Sequence, residues 1–226
     1  MTRDSDAERG GGPAPEPAEI LHEYGPFPMG AGPGIAGVSY DGTHVWFATT
    51  GQLRAIDPDS GAVVRALDVP ADAGTAYDGR HLWQIAGGRI RRIDPATGAV
   101  LSSIPAPGAG SDSGLAWADG TLWVGQHRDR KIHQIDPATG AILRTLESNR
   151  YVTGVTWVDG ELWHGVWEGD DSEVRRIDPD TGAVQTRLAM PRGAAVSGLE
   201  SDGRDRLFCG GAGAGKLRVV RRPRRR

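Results

Sequence analysis

The chain has 226 residues, a length that suits one closed all-β domain, and its 34 glycines and 15 prolines alternate with evenly spread Trp, Val, Ile and Leu, which excludes a low-complexity polymer. Its net charge is −3, but without the five arginines among residues 221–226 it falls to −8, and an acidic body argues against a nucleic-acid-binding face, which needs clustered cations. A single cysteine, Cys209, allows no intrachain disulfide, and no apolar run approaches the length of a membrane-spanning helix.

Residues 1–18 are rich in Gly, Pro and acid, with no apolar stretch. They are expected to be a disordered tail without a secretory signal, which makes a cytoplasmic location the expectation. The next segment, EILHEYGPF (Glu19 to Phe27), resembles a lone outer strand; compare VVRALDVP further on.

From there the chain repeats. Asp-Gly recurs at Asp41, Asp78, Asp119, Asp159 and Asp202, and Asp-Pro at Asp57, Asp94, Asp136 and Asp178. Both markers give a period of about 40 residues, the length of a four-stranded propeller blade. The third repeat shows the unit. Strand one is Gly114 to Trp117; Asp119-Gly120 makes a hairpin turn, where Gly accepts positive φ. Strand two is Leu122 to Gln126, strand three Lys131 to Ile135, and strand four Ala141 to Leu146. Between the last two, Asp136-Pro137-Ala138-Thr139-Gly140 combines a capping Asp, a Pro of fixed φ and a left-handed Gly.

Strand two carries an aromatic in every repeat (Trp46, Trp83, Trp123, Trp163, Phe208), and strand one ends in Tyr40, Tyr77, Trp117 and Trp157 in the first four. These are read as packing between blades. The fifth repeat stops after its third strand, at Lys216 to Pro223. The Glu19–Phe27 segment is therefore expected to supply the missing strand and close the ring, which removes open sheet edges. The expected fold is an all-β, five-bladed propeller over residues 19–222, followed by a basic tail, 223–226.

In such a ring, function gathers where loops converge on the central tunnel. The residues preceding each inner-strand Gly are Ala36, Ala73, Ser113, Thr153 and Ser197, with Arg150 and Tyr151 just upstream of one of them. The loops after strand two bring His127, and His164 with Trp167 and Glu168. Polar chemistry is thus concentrated in repeats three to five. Glu200 differs from its equivalents Ser39, Ala76, Ala116 and Thr156 by placing a carboxylate inside an inner strand. There it is either a general acid/base or half of an ion pair. Cys209 reads as a small buried hydrophobe.

Two family resemblances follow. GIAGVSYDGTHVWFATTGQLRAIDP resembles the repeat of virginiamycin B lyase and its relatives; Thr49, Ala86, Gln126, Val166 and Gly211 stand where that family often has an acid. TGVTWVDGELWHGVWEGDDSEVRRIDPDTGAV (Thr153 to Val184) resembles the characteristic run of the plant and bacterial type of glutaminyl cyclase, with Trp163, Trp167, Asp178-Pro179 and Thr181-Gly182 in place, Gly154 and Thr156 at the family's acidic positions, and a carboxylate one blade later at Glu200. The second resemblance implies five blades, whereas the lyase has more, and the two together imply a cyclotransferase- or lyase-type reaction.

The expectation is a propeller acting on a small-molecule or peptide substrate at the tunnel mouth. Glu200, His164 and Glu168 would move protons. Arg150 would hold an anionic group, Trp167 and Tyr151 would form apolar walls, and Thr153, Ser113, His127 and Ser197 would line the pocket. No cofactor, metal, nucleic acid or membrane contact is expected, and a monomer is. The alternative is a non-catalytic scaffold that binds a protein or ligand.

Overall fold

A computed structural model describes residues 12–29, 34–49 and 51–224, and these contain strands and no helix. The N-terminal segment supplies β1 (Glu16–Pro17) and β2 (Ile20–Tyr24). Blade one is β3 (Val38–Tyr40), β4 (Val45–Thr49), β5 (Gln52–Ile56) and β6 (Val63–Leu67). Blade two is β7 (Thr75–Tyr77), β8 (Leu82–Ala86), β9 (Arg89–Ile93) and β10 (Val100–Pro105). Blade three is β11 (Asp112–Ala118), β12 (Thr121–Gln126), β13 (Lys131–Ile135) and β14 (Ile142–Glu147). Blade four is β15 (Val152–Val158), β16 (Glu161–Glu168), β17 (Asp171–Ile177) and β18 (Val184–Ala189). Blade five is β19 (Leu199–Ser201), β20 (Arg206–Gly210) and β21 (Leu217–Arg221), completed by β2.

The five-bladed propeller and its closure agree with the sequence. The N-terminal strand pairs antiparallel with β21, Tyr24 opposite Leu217 and Glu23 opposite Arg218. Glu23 receives Arg218 (2.7 Å) and Lys216 (3.0 Å), and the Tyr24 hydroxyl donates to the Pro58 carbonyl of blade one (2.6 Å). Order begins earlier than residue 19, because Glu16 and Pro17 add in parallel to β18 of blade four, opposite Leu188 and Ala189. One short segment thus stitches blade four to blade five. Residues 1–11 of the expected tail, and 225–226 of the basic end, lie outside the described residues. Arg221 and Arg222 already belong to the fold, paired with Glu19 (2.7 Å) and Asp159 (2.5 Å). No helix among the described residues is long and apolar enough to cross a membrane.

The two turn signals act as expected, with one refinement. Each Asp-Pro aspartate accepts backbone N–H groups two or three residues on, as Asp136 does from Ala138 (2.7 Å) and Thr139 (3.0 Å), while Gly140 takes φ +80°. In blades three and four, Asp119-Gly120 and Asp159-Gly160 are two-residue turns with both residues at positive φ. In blades one and two the same dipeptide opens a longer turn whose aspartate binds an indole: Asp41 accepts from Trp46 Nε1 (2.7 Å) and Asp78 from Trp83 Nε1 (2.9 Å).

The core is divided among five seams between neighbouring blades. At three of them an aromatic from strand two meets one from the next blade's strand one: Trp83 on Trp117 (5.8 Å), Trp123 on Trp157 (6.0 Å) and Phe208 on Tyr40 (5.5 Å). The aromatic repeat therefore builds seams, as its sequence reading held.

Candidate active site at the tunnel

The inner strands meet at a ring of glycines. A Cβ added to Gly37, Gly74, Gly114 or Gly154 would lie 2.3–2.5 Å from backbone of the next blade, and one on Gly198 2.7 Å from Val38 N. Each glycine abuts the following blade and the fifth abuts the first, so the sequence needs Gly here for close approach of backbones rather than for an unusual φ.

One residue before the ring, two of the expected pocket residues act as staples. Ser113 Oγ donates to Val152 O of blade four (2.9 Å), and Ser197 Oγ donates to Ile35 O of blade one. The equivalent Thr153 is 4 % exposed and its hydroxyl has no partner among the described residues.

Two residues beyond the ring lies Glu200. Thr156 of blade four donates to its Oε1, Ser39 of blade one to its Oε2 (3.3 Å), and its strand neighbour Ser201 offers a backbone N–H (2.8 Å). Burial pushes the Glu200 carboxyl up to about 7, outweighing these donors. The residue as a whole is half-buried. Among the described residues no arginine pairs with it.

The mouth itself is a cavity of about 260 Å³ lined by Ser113, Thr153, Ser197, His127 and Trp167, together with Asp72 and Asp112. His127 Nδ1 faces Val152 O (3.2 Å), and its ring packs on Tyr151 (4.9 Å between centroids). Ser197 lines the mouth and Glu200 lies three residues on, roughly 10 Å at the rise of a strand.

The remaining expected residues are not brought to this cavity. Arg150 and Glu168 pair with each other (2.9 Å), and Glu168 also accepts the Tyr151 N–H (3.2 Å), so the presumed anion holder and the presumed acid neutralise one another. His164 is not in a loop. It is 2 % exposed within β16, faces the seam between blades three and four, and lines a separate cavity with Asn149 and Val184. Burial, reinforced by the Arg175 charge, pushes its imidazole down to about 4, so it is neutral at physiological pH. Cys209 is fully buried and burial raises its thiol to about 12, which makes it inert.

Sequence reasoning gave no role to Asp72 at the mouth, nor to Thr156 and Ser39 as the clamp on Glu200. The signal for Asp72 and Asp112 was present: both stand two residues before an inner-strand Gly, where the other repeats have Ile35, Val152 and Val196.

The family model described as outer membrane protein assembly factor BamB matches residues 86–222, more than half of the chain. No curated protein matches the sequence. The crystal structure of glutaminyl cyclase from Myxococcus xanthus is similar with a TM-score of 0.72 at 20% identity, over 91% of this chain and 98% of that one. Virginiamycin B lyase from Staphylococcus aureus gives a TM-score of 0.51 at 18% identity, over 88% and 69% of the two chains. The WD40 propeller domain of Doa1 gives 0.51 at 15% identity, over 83% and 63%. At such identities the likeness is one of fold.

Proposed function

The chain belongs to the family described as outer membrane protein assembly factor BamB, a premise that fixes the propeller scaffold but no chemistry, and on that scaffold we propose a small-molecule-acting enzyme whose ligand enters at the tunnel mouth and whose proton-transfer group is Glu200. One observation carries the reading: an inner-strand carboxyl gripped from both neighbouring blades and raised to about 7. A group with that value is part protonated and part ionised near neutral pH, the condition for both accepting and returning a proton.

A cyclotransferase- or lyase-type reaction fits. In cyclisation, an internal nucleophile forms a new bond to an acyl carbon as the old bond to the leaving group breaks, and one carboxylate takes the proton from the first and delivers it to the second. The similarity to a named cyclase and a named lyase supports the same class. Trp167 would wall the ligand, Thr153 and His127 would orient it, and the Arg150–Glu168 pair would fix Tyr151 beneath His127. His164 has no part in the chemistry. The chain would act as a cytoplasmic monomer on a free metabolite or peptide.

The test is a thermal-shift screen against metabolites and N-terminal glutaminyl peptides, followed by turnover assays on any hit. Glu200→Gln should lose turnover by about a hundredfold or more while still binding. Unchanged turnover in that variant removes the mechanism.

A second reading, a non-catalytic protein-binding scaffold, is favoured by one observation. The outer strands of blades one to three expose aliphatic pairs, Val63-Val64, Val100-Leu101 and Ile142-Leu143, each residue about half exposed. Single surface aliphatics are ordinary, but three repeated pairs on one rim suit a partner. Capture of a partner that is lost when these pairs become Ser or Thr, with no ligand found for the tunnel, would establish this reading instead.

A further inference from the structure

We infer that the outer edges of blades one to three, along β6, β10 and β14, each receive an extended, proline-alternating strand of a partner protein, as blade four receives β1 from this chain. The inference deepens the second reading above, that of a binding rim, and stands whether or not Glu200 catalyses a reaction.

The five outer strands share one construction. Each opens with a β-bulge, two residues opposite one: Val63-Val64 against Ile56, Val100-Leu101 against Ile93, Ile142-Leu143 against Ile135, Val184-Gln185 against Ile177, and Ile20-Leu21 against Val220. What differs is the cover. Val184 is half-buried, with Gly12 so close that a Cβ added there would lie 2.9 Å from Val184 Cβ. Ile20 and Leu21 pack against the core clusters of their seams. The pairs of blades one to three stay 47–56 % exposed, and β6, β10 and β14 have no partner strand on their outer side among the described residues. An open edge with apolar side chains is a template for a further strand.

Blade four shows what fits such an edge. There β1 adds in parallel, Glu16 opposite Leu188 and Pro17 opposite Ala189, and the Ala18 N–H donates to Ala189 O (2.8 Å). Arg187 reaches Pro13 O (3.4 Å). Successive amides of a strand face opposite sides, so Glu16 and Ala18 turn theirs to β18. The residues on either side of Glu16, Pro15 and Pro17, face away and have no N–H to offer there. The segment therefore bonds along one side and ends the sheet on the other.

The occupant that this edge selects is a Gly-led, extended segment with proline at alternate positions, which loses little freedom when it binds. Blades one to three repeat the bulge and replace Gln185 by Val64, Leu101 or Leu143, so they give such a strand more apolar surface to cover.

The test is an NMR titration of the nitrogen-15-labelled full chain with the acetylated and amidated peptide GPAPEPA, the sequence of residues 12–18. Blade four is filled by the chain's own copy, whose attachment gives it a high local concentration, so saturable shifts should appear in β6, β10 and β14 and not in β18. The same peptide N-methylated at its glutamate and last alanine, which removes the edge-facing donors, should bind about tenfold more weakly or worse. Ile142→Thr with Leu143→Thr, at exposed positions, should abolish the shifts of β14 while those of β6 and β10 remain. No saturable shift, shifts confined to β18, full binding of the methylated peptide, or β14 shifts that survive the double substitution would each overturn the inference. Capture of a partner that docks on these pairs through a helix would also overturn it, while leaving the rim reading in place.

Discussion

Thr156 Oγ1 donates to Glu200 Oε1 across the seam between blades four and five, so the tunnel carboxyl is held by a blade other than its own. Its environment sets a pH dependence. The carboxyl is raised from the ordinary glutamate value of 4.5 to about 7 by burial, which means that folding favours the protonated form. Its favourable contribution is complete below pH 4.5 and is lost as pH rises through about 7. The loss is roughly 3 to 4 kcal/mol, at about 1.4 kcal/mol per pKa step. Chemical denaturation of the wild type between pH 5 and 8 should show this decline, and Glu200→Gln, which cannot ionise, should flatten it. A wild-type profile that matches the variant's would mean that Glu200 titrates like a surface carboxylate.

The glycine ring predicts a sharp contrast between two alanine substitutions. A Cβ on Gly154 would meet Leu199 N at 2.3 Å and Gly198 C at 2.5 Å, both backbone atoms that cannot swing aside. Gly154→Ala should therefore push blades four and five apart and cost about 3 kcal/mol. Gly160, in a turn at φ +73°, has open space around it, so Gly160→Ala should cost only the left-handed strain, about 1 kcal/mol. Denaturation midpoints of the two variants measure the difference.

The sequence carried the blade grammar because turn chemistry is local: Asp136 and Gly140 fix their turn with atoms from the same five residues. Packing across seams is not local, and there the reading failed. His164 follows Trp163 in β16, and strand alternation turns it toward the opposite seam, a consequence missed when β16 was expected to end before it. Arg150 and Glu168 read as two functional charges, although an 18-residue separation in sequence closes to a 2.9 Å pair in space. Glu200 was legible because it broke the repeat, while its partners Ser39 and Thr156 looked like ordinary members of it.

The neutral imidazole of His164 predicts acid sensitivity of the opposite sign to Glu200. Its value falls from 6.5 to about 4 on folding, through burial and then the charge of Arg175. Stability from the neutral ring is full above pH 6.5 and is lost as pH falls through about 4. Nitrogen-15 NMR of the folded protein should keep His164 neutral down to pH 5. A His164 midpoint near 6.5 would mean that the ring reaches solvent.

Behind His164, Glu173 bridges two guanidinium groups, accepting from Arg175 (2.7 Å) and from Arg187 (2.5 and 3.0 Å). Burial works against the ionised carboxylate, yet the two arginines hold it down at about 2. Arg175 is 1 % exposed and also donates to Asn149 (2.7 Å), so Glu173 is the charge that lets it stay buried. Glu173→Gln keeps the shape but leaves that guanidinium uncompensated, and should cost about 3 kcal/mol at neutral pH. Because the folded value is depressed, the wild-type advantage is present above the ordinary 4.5 and disappears as pH falls through about 2. The gap between wild type and variant should accordingly be widest at pH 7 and narrow steadily from pH 4 to pH 2 in denaturant titrations. A gap that stayed constant with pH would show that the variant loses packing rather than charge.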